Sequence, residues 1–238
     1  MIEIKCEQGS AKWLLARLGK PTASMYGNIV TPTGKAVTDT KRDGYMMKLL
    51  AERITGRATE VYVSAAMDRG NRLEPEARAW YEMQNAVEVA QIGFALHDEG
   101  RWGASPDGII ADDGGIEIKT AVLHNHIAKL LDGKAPSENI VQIQGCMYVT
   151  GRKWWDYCLF GDYANVPNMV VRVERDEVMM EALAECLLKF CDELDEAERE
   201  LRQRYGIPER NAVDLDSVSD DWCPWPDEPL QDERKAAQ

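Results

Sequence analysis

The chain has 238 residues and a formal net charge of −13, long enough for one domain with a real core, or one domain with a tail. No run approaches the roughly eighteen apolar residues of a membrane span, and the N-terminus lacks a basic-then-apolar signal, so a cytoplasmic protein without membrane contact is expected. The six cysteines, Cys6, Cys146, Cys158, Cys186, Cys191 and Cys223, form no CxxC pair, which speaks against a disulfide framework, a zinc ribbon and a cysteine-ligated iron–sulfur cluster.

Gln8 to Arg17 reads as a short helix capped by Ser10, with Trp13, Leu14 and Arg17 in helical register. Another helical turn opens at Thr22-Ala23-Ser24. A guanidinium and a hydroxyl at a helix start suit a phosphate, although a surface arginine and a plain cap would look the same. Thr31 to Lys35 is a loop. Its Gly34-Lys35 is not a phosphate-binding P-loop, because the leading glycine and the strand-to-helix context are missing. Asp39 to Thr55 is predicted helical and Gly56 closes it. Its Lys41, Arg42, Lys48, Arg53 and Arg57 are either a solvated face or a wall along a DNA channel. A further helix over Met67 to Asn85 carries Glu74, with Pro75 placed near its beginning and Trp80, Tyr81 and Met83 as core residues.

Val87–Leu96, Trp102–Ile110 and Gly115–Thr120 are the expected strands. Along the third, alternation puts Glu117 and Lys119 on one face and Ile116 and Ile118 on the other, toward the core. The Asp112-Asp113-Gly114-Gly115 run is hairpin punctuation that folds Asp107 back beside Glu117. Two carboxylates and an ammonium then converge. Carboxylates suit a hard divalent cation such as Mg²⁺, and a neighbouring lysine can orient or deprotonate a water and meet charge on a phosphate. Taken alone, Asp107-Gly108 could be only a turn and Glu117-x-Lys119 only an exposed strand face.

His124 and His126 stand two apart, poor spacing for a metal pair on a helix, and read as surface residues. Glu138 to Val149 is a helix on which Gln144 can turn toward the site or face its own sheet. Lys153–Phe160 and Asn168–Glu174 extend the sheet. Asp176 caps a long helix to about Arg204, whose apolar stripe includes Val178, Leu183, Leu187, Leu188 and Leu194. Residues 206–238 are acidic and carry Pro208, Pro224, Pro226 and Pro229 with Trp222 and Trp225, a disordered tail by composition. Such a segment could also dock on a partner or on the chain's own basic groove.

Charge is unevenly placed: residues 1–57 hold ten Lys/Arg against five Asp/Glu, and 174–238 hold eight against twenty. Phosphate affinity follows local charge, so the acidic end does not exclude DNA, although it argues against tight non-specific coating.

Pro106-Asp107, nine residues, then Glu117-Ile118-Lys119 resembles the PD-(D/E)xK nuclease signature. Within that superfamily the sequence resembles the phage lambda-type exonucleases, the YqaJ-like viral recombinases, from about Gln8 to Arg204. The ordered blocks are Gln8-Gly9, Trp13, Arg17-Leu18-Gly19, Thr22-Ala23-Ser24, Gly70 to Glu74, Ser105 to Gly108, Glu117 to Lys119, Gln142-x-Gln144, Val149-Thr150 and Glu174 to Glu177. The resemblance implies an α/β fold with a restriction-endonuclease-like core, a central mixed sheet flanked by helices, filling residues 1–205. It implies a Mg²⁺-dependent (or Mn²⁺-dependent) 5′→3′ exonuclease acting on double-stranded DNA ends and releasing mononucleotides. A homotrimeric ring working with a single-strand annealing protein, in the cytoplasm of a bacterial host, is implied with it. In this pattern Asp107, Glu117 and the Ile118 carbonyl hold metal, Lys119 positions water, and Glu74 approaches the metal from its helix. Arg17, Ser24, Ser105 and Gln144 hold phosphate. Two rivals stay open: a PD-(D/E)xK endonuclease, and a non-catalytic DNA-binding or DNA-mimicking relative, against which the intact Asp107, Glu117 and Lys119 weigh.

Overall fold

A computed structural model describes residues 1–59, 65–209 and 213–218. Five strands form the central sheet, in the order β2 (Val89–Ala90), β5 (Gly108–Ile110), β6 (Gly114–Thr120), β7 (Trp154–Phe160), β8 (Met169–Glu174). Only β6 and β7 run parallel. Their crossover is made by helices α4 (Leu123–Asp132) and α5 (Ser137–Thr150), as a parallel pair requires. A smaller sheet of β1 (Ile2–Ile4), β3 (Phe94–Leu96) and β4 (Gly103–Ala104) stands beside it. The remaining helices are α1 (Ala11–Arg17), α2 (Thr40–Thr55), α3 (Ala65–Asn85) and α6 (Glu177–Tyr205), with a 3-10 turn over Ala23–Asn28. This is the mixed sheet flanked by helices that the motif implied.

Each face of the sheet is covered. Ile116, Ile118, Cys158 and Phe160 pack on Leu73, Ala77 and Tyr81 of α3. Trp155, Tyr157 and Leu159 point the other way, into the larger core with α2, α5, α6 and the 3-10 turn. Because β6 and β7 are in parallel register with Glu117 opposite Tyr157, Glu117 belongs to that second face. Its carboxylate is therefore fully buried beneath α5, rather than exposed as strand alternation alone would allow.

The two long predicted strands are each broken. Val87–Leu96 divides into β2 and β3, and Trp102–Ile110 into β4 and β5, with the halves in different sheets. The first break is at Gly93, where an added Cβ would lie 2.3 Å from the Cys6 carbonyl oxygen. The second is Ser105-Pro106-Asp107, where proline has no N–H for a ladder. The motif thus occupies the seam between the sheets. Asp107-Gly108 is no simple turn: Gly108 lies in β5, where a Cβ would meet Val89 Cγ1 at 2.1 Å. The third strand begins at Gly114, one residue before the expected Gly115, and both glycines make room for the Trp154 and Trp155 rings.

Helix capping follows expectation at Ser10, Gly56 and Asp176, and Asp39, expected as the first helical residue, is itself a cap. Ser10 accepts from the Trp13 amide, Asp39 caps α2, Gly56 closes it with φ 65°, and Asp176 caps α6. Other expectations are corrected. Pro75 lies in the middle of α3, so the Asn71 carbonyl lacks its intrahelical donor. Met83 is exposed, as are Val178 and Leu188 of the predicted α6 stripe, whereas His126 is fully buried, with Nε2 2.9 Å from the Pro167 carbonyl oxygen. Arg42 pairs with Glu193, and Arg53 with Asp195 and Glu198, fastening α2 to α6. Of the acidic tail, residues 213–218 pack on α1 through the Lys12–Asp216 ion pair. Its continuation, with Trp222 and Trp225, lies outside the described residues.

Candidate active site

The β5–β6 hairpin sets Gly108 opposite Ile116, so Asp107 comes level with Glu117, as the spacing predicts. The Ile118 amide donates to Asp107 Oδ2 at 2.6 Å. Lys119, on the same strand face as Glu117, donates to Glu117 Oε1, which also accepts from Gln142 Nε2 at 2.6 Å. Glu117 Oε2 is buried and has no hydrogen-bond partner among the described residues. A desolvated carboxylate oxygen without a donor is costly.

Charge crowds this corner. Burial, then the charges of Glu117 and Glu74, drive Asp107 well above the usual carboxylate range, with Lys119 and the Ile118 amide acting against them. Burial alone would lower Lys119, but the attraction of Glu117 and Asp107 outweighs it and holds the amine as an ammonium. Glu74 is tied by Arg78, whose Nη2 donates to Glu74 Oε1 at 2.5 Å and to the Asp107 carbonyl at 3.1 Å. One arginine on α3 therefore fixes both the third acid and the backbone of the first.

The residues present fit a hard divalent cation. Glu117 Oε2 is an orphan acceptor, and Asp107 carries repulsion that a dication would relieve. Among the described residues no three His, Cys, Asp or Glu side chains gather into a complete metal cage. Of the donors expected from the sequence, the two carboxylate residues and Ile118 line the same pocket, a number that leaves coordination positions for water and phosphate, as Mg²⁺ prefers.

The phosphate candidates arrive from α1, the 3-10 turn and the seam between the sheets. Gln8 Nε2 donates to the carbonyls of Ile92 and Pro106 at 3.0 and 2.8 Å, pinning the start of α1 to the motif. Trp13 Nε1 donates to Ser105 Oγ at 2.9 Å, and the Arg17 guanidinium lies 3.8 Å from the centre of the Trp13 ring. Burial, opposed by Tyr45 and Glu52, lowers Arg17 to about 10. Arg17 has no ion-pair partner among the described residues. Ser24 is exposed, its hydroxyl 3.4 Å from that of Thr22.

A single pocket of about 400 Å³ is lined by Arg17, Ser24, Glu74, Ser105, Asp107, Glu117, Ile118, Lys119 and Gln142. All the site residues expected from the sequence meet there except Gln144. The Gln144 side chain turns to the opposite side of α5, where Nε2 donates to the Glu174 carbonyl at 2.8 Å and Oε1 accepts from the Asp176 amide at 3.1 Å. Two residues on a helix differ by roughly 200° in direction, so only one glutamine of the Gln142-x-Gln144 pair can face β6. Gln142 shares its face with Cys146, a buried thiol raised first by burial and then by Glu117 and Asp107. Gln144 stands in the same i, i+4 relation to Tyr148, so spacing gave no signal that separates the two glutamines. Arg78 also escaped the sequence reading. Its signal was the i, i+4 spacing from Glu74. A larger cleft of about 930 Å³ lies between Leu18–Lys20, Arg53, Arg101 and α6. Its Arg53 and Arg101 are already neutralised by Asp192, Asp195 and Glu198, and it contains no counterpart of the Asp107 cluster.

A mixed sheet with an acidic and lysine-bearing hairpin at its seam defines an α/β nuclease fold of the PD-(D/E)xK type. The model of the YqaJ-like viral recombinase domain matches residues 12–153, and the chain belongs to that family, whose nucleases act on DNA and generally use divalent metal ions. Among solved structures it is similar to the alkaline exonuclease LHK-Exo from Laribacter hongkongensis, at 34% identity and TM-score 0.74, covering 82% of this chain and 97% of that one. The dAMP complex of LHK-Exo aligns with TM-score 0.75 at the same identity and coverage. A phage-related exonuclease from Haemophilus somnus 129PT shares the fold at 13% identity and TM-score 0.56, covering 84% of this chain and 97% of that one. Among curated proteins none matches the sequence. No helix among the described residues is long and apolar enough to cross a membrane. Family and relatives together make the chain a DNA exonuclease.

Proposed function

We propose that this exonuclease is Mg²⁺-dependent, with Mn²⁺ as a substitute, and degrades one strand of duplex DNA from its 5′ end to mononucleotides. Residues 1–205 form the nuclease domain. The 3′ single strand left behind serves recombination by strand annealing, beside an annealing protein, in the bacterial cytoplasm. The working form is a homotrimeric ring. The observation that carries the reading is one pocket holding both a hydrolytic set, Asp107, Glu117 and Lys119, and an arginine braced on Trp13 that has no ion-pair partner among the described residues. The LHK-Exo relative was crystallised with dAMP, which supports a mononucleotide product.

In this reading Arg17, Ser24 and Ser105 seat the terminal 5′-phosphate, and the next phosphodiester falls beside Asp107 and Glu117. A divalent cation held by these carboxylates and the Ile118 carbonyl supplies Lewis acidity toward the phosphate and the attacking water. Lys119, kept as an ammonium, meets the negative charge that grows on the phosphoryl oxygens. Gln142 and Lys119 fix the orientation of Glu117 Oε1, while Arg78 holds Glu74 and the Asp107 backbone. Water's oxygen bonds to phosphorus as the P–O3′ bond breaks. The freed nucleotide carries a 3′-hydroxyl, and the shortened strand presents a new 5′-phosphate to Arg17.

The test compares linear duplex bearing 5′-phosphate or 5′-hydroxyl ends with a covalently closed circle, each in Mg²⁺. Mononucleotides from the phosphorylated ends and an untouched circle are expected. Cutting of the circle at a comparable rate would transfer the same chemistry to an endonuclease.

A further inference from the structure

The turn that follows Arg17 is held by side chains of α2. Gly19 bends the chain back with φ 65°, and an added Cβ there would run into the Arg53 side chain. The Gly19 amide donates to Glu52 Oε2 at 3.0 Å, and the Gly19 carbonyl accepts from Arg53 Nε at 2.8 Å. Further along, the Thr22 amide donates to Tyr45 Oη at 3.2 Å. Arg53 is itself fixed by Asp195 and Glu198 of α6. The backbone from Arg17 to Thr22 is therefore anchored to three residues of one helix, and none of the three lines the pocket.

Glu52 stands apart from the other two. Its carboxylate is buried, yet it has no ion-pair partner among the described residues. The second oxygen, Oε1, accepts from the Thr59 amide at 3.3 Å and from the Thr59 hydroxyl at 2.8 Å. Burying a carboxylate among neutral donors is costly. A glutamine would avoid that cost, but its single oxygen could accept on one side only. Gripping Gly19 and Thr59 together takes both oxygens of a carboxylate.

We propose that Glu52 is a positioning residue for DNA ends: its two oxygens lock the Gly19 turn to the chain at Thr59, and so hold the Arg17 guanidinium where a terminal phosphate is bound. The inference rests on the reading of Arg17 as the 5′-phosphate seat. Glu52 acts through the backbone between Arg17 and Thr22, without touching substrate or metal. Charge and position make opposite demands here. Glu52 is one of the groups whose charge acts on Arg17, so removing that charge alone should favour an incoming phosphate. Removing the anchor should let the guanidinium drift and weaken the same phosphate.

The test measures KM and kcat on 5′-phosphorylated and 5′-hydroxyl duplexes for the wild type, Glu52→Gln and Glu52→Asp. The first variant removes the charge and one acceptor; the second keeps the charge and withdraws it by one bond, about 1.5 Å. Misplacement by about 1 Å can cost up to about 10²-fold. Both variants should therefore raise KM for the phosphorylated end about five- to fiftyfold, with kcat, and KM for the hydroxyl end, within about twofold of wild type. A lower KM for phosphorylated ends in Glu52→Gln beside a wild-type Glu52→Asp would make Glu52 a source of charge alone. Equal losses on both ends would make it a general stabiliser of the fold. Either result, or unchanged kinetics, overturns the proposal. Thr59→Val removes only one bond to Glu52 and should show the same split at about two- to fivefold, which keeps the test open should the Glu52 variants not fold. A readout without DNA is amide hydrogen exchange of the peptide spanning residues 17–22, followed by mass spectrometry. It should be at least about tenfold faster in Glu52→Asp, and an unchanged rate would equally sink the proposal. A wild type without preference for phosphorylated ends would remove the 5′-phosphate reading and the purpose given to Glu52, whereas the exchange rate would still decide the anchoring.

Discussion

Gln142 and Gln144 stand two residues apart on α5, and alanine at each should fail in a different way. Gln144 is buried, and its amide bridges the Glu174 carbonyl and the Asp176 amide, where β8 hands over to α6. Truncation leaves a partly buried acceptor and a partly buried donor without the amide, at up to about 1–3 kcal/mol each. A loss of roughly 2–4 kcal/mol should lower Tm by about 5–15 °C in a protein of this size. The surviving folded enzyme should keep its rate. Gln142→Ala removes one donor to Glu117 Oε1, while Lys119 remains on the same oxygen. A hydrogen bond to a charged group contributes about 1.5–3 kcal/mol. If Glu117 must be aimed in the transition state, kcat should fall roughly ten- to a hundredfold, with Tm within about 3 °C of wild type. The assay pairs single-turnover digestion of 5′-phosphorylated duplex in Mg²⁺ with thermal unfolding monitored by circular dichroism. The opposite pattern, a stable and inactive Gln144→Ala beside a fully active Gln142→Ala, would refute this placement of the two amides.

Asp107→Ala and Glu117→Ala should each nearly abolish hydrolysis without unfolding the chain, and Ca²⁺ should allow DNA binding but little turnover. Near-wild-type cleavage by either variant would remove these residues from the chemistry. Lys119→Ala should be slower by roughly 10²–10³, and Lys119→Arg should not restore the rate, because a planar guanidinium cannot take the place of a compact ammonium on Glu117. An active arginine variant would show that charge alone suffices. Arg17→Ala should erase a roughly ten- to hundredfold preference for 5′-phosphate over 5′-hydroxyl ends. Its effect should fall on the phosphorylated substrate, read as initial rates on the two labelled duplexes.

The chemistry of this protein was legible in its sequence because it is local. Asp107, Glu117 and Lys119 lie on a single hairpin, and strand alternation with short-range pairing was enough to bring them together. Helix caps at Ser10 and Asp176 were legible for the same reason, since a cap satisfies amides only two or three residues away.

What the tertiary structure decided was direction across distance. Pro106 marks a break within residues 102–110, but that the two halves serve different sheets is decided only by packing between distant elements, as Gly93 packs on Cys6 in the neighbouring run. The choice between Gln142 and Gln144 depends on which side of α5 meets β6, and both sides are buried, so amphipathic patterning carries no signal there. Arg42 and Arg53 read as a basic surface until α6 supplies the carboxylates that neutralise them. His126 reads as a surface residue until Pro167 and Tyr163 close over it. Sequence alone determined which groups could do chemistry. The folded chain determined which of them share a pocket, because a side chain's partner is set by packing between elements far apart in the chain.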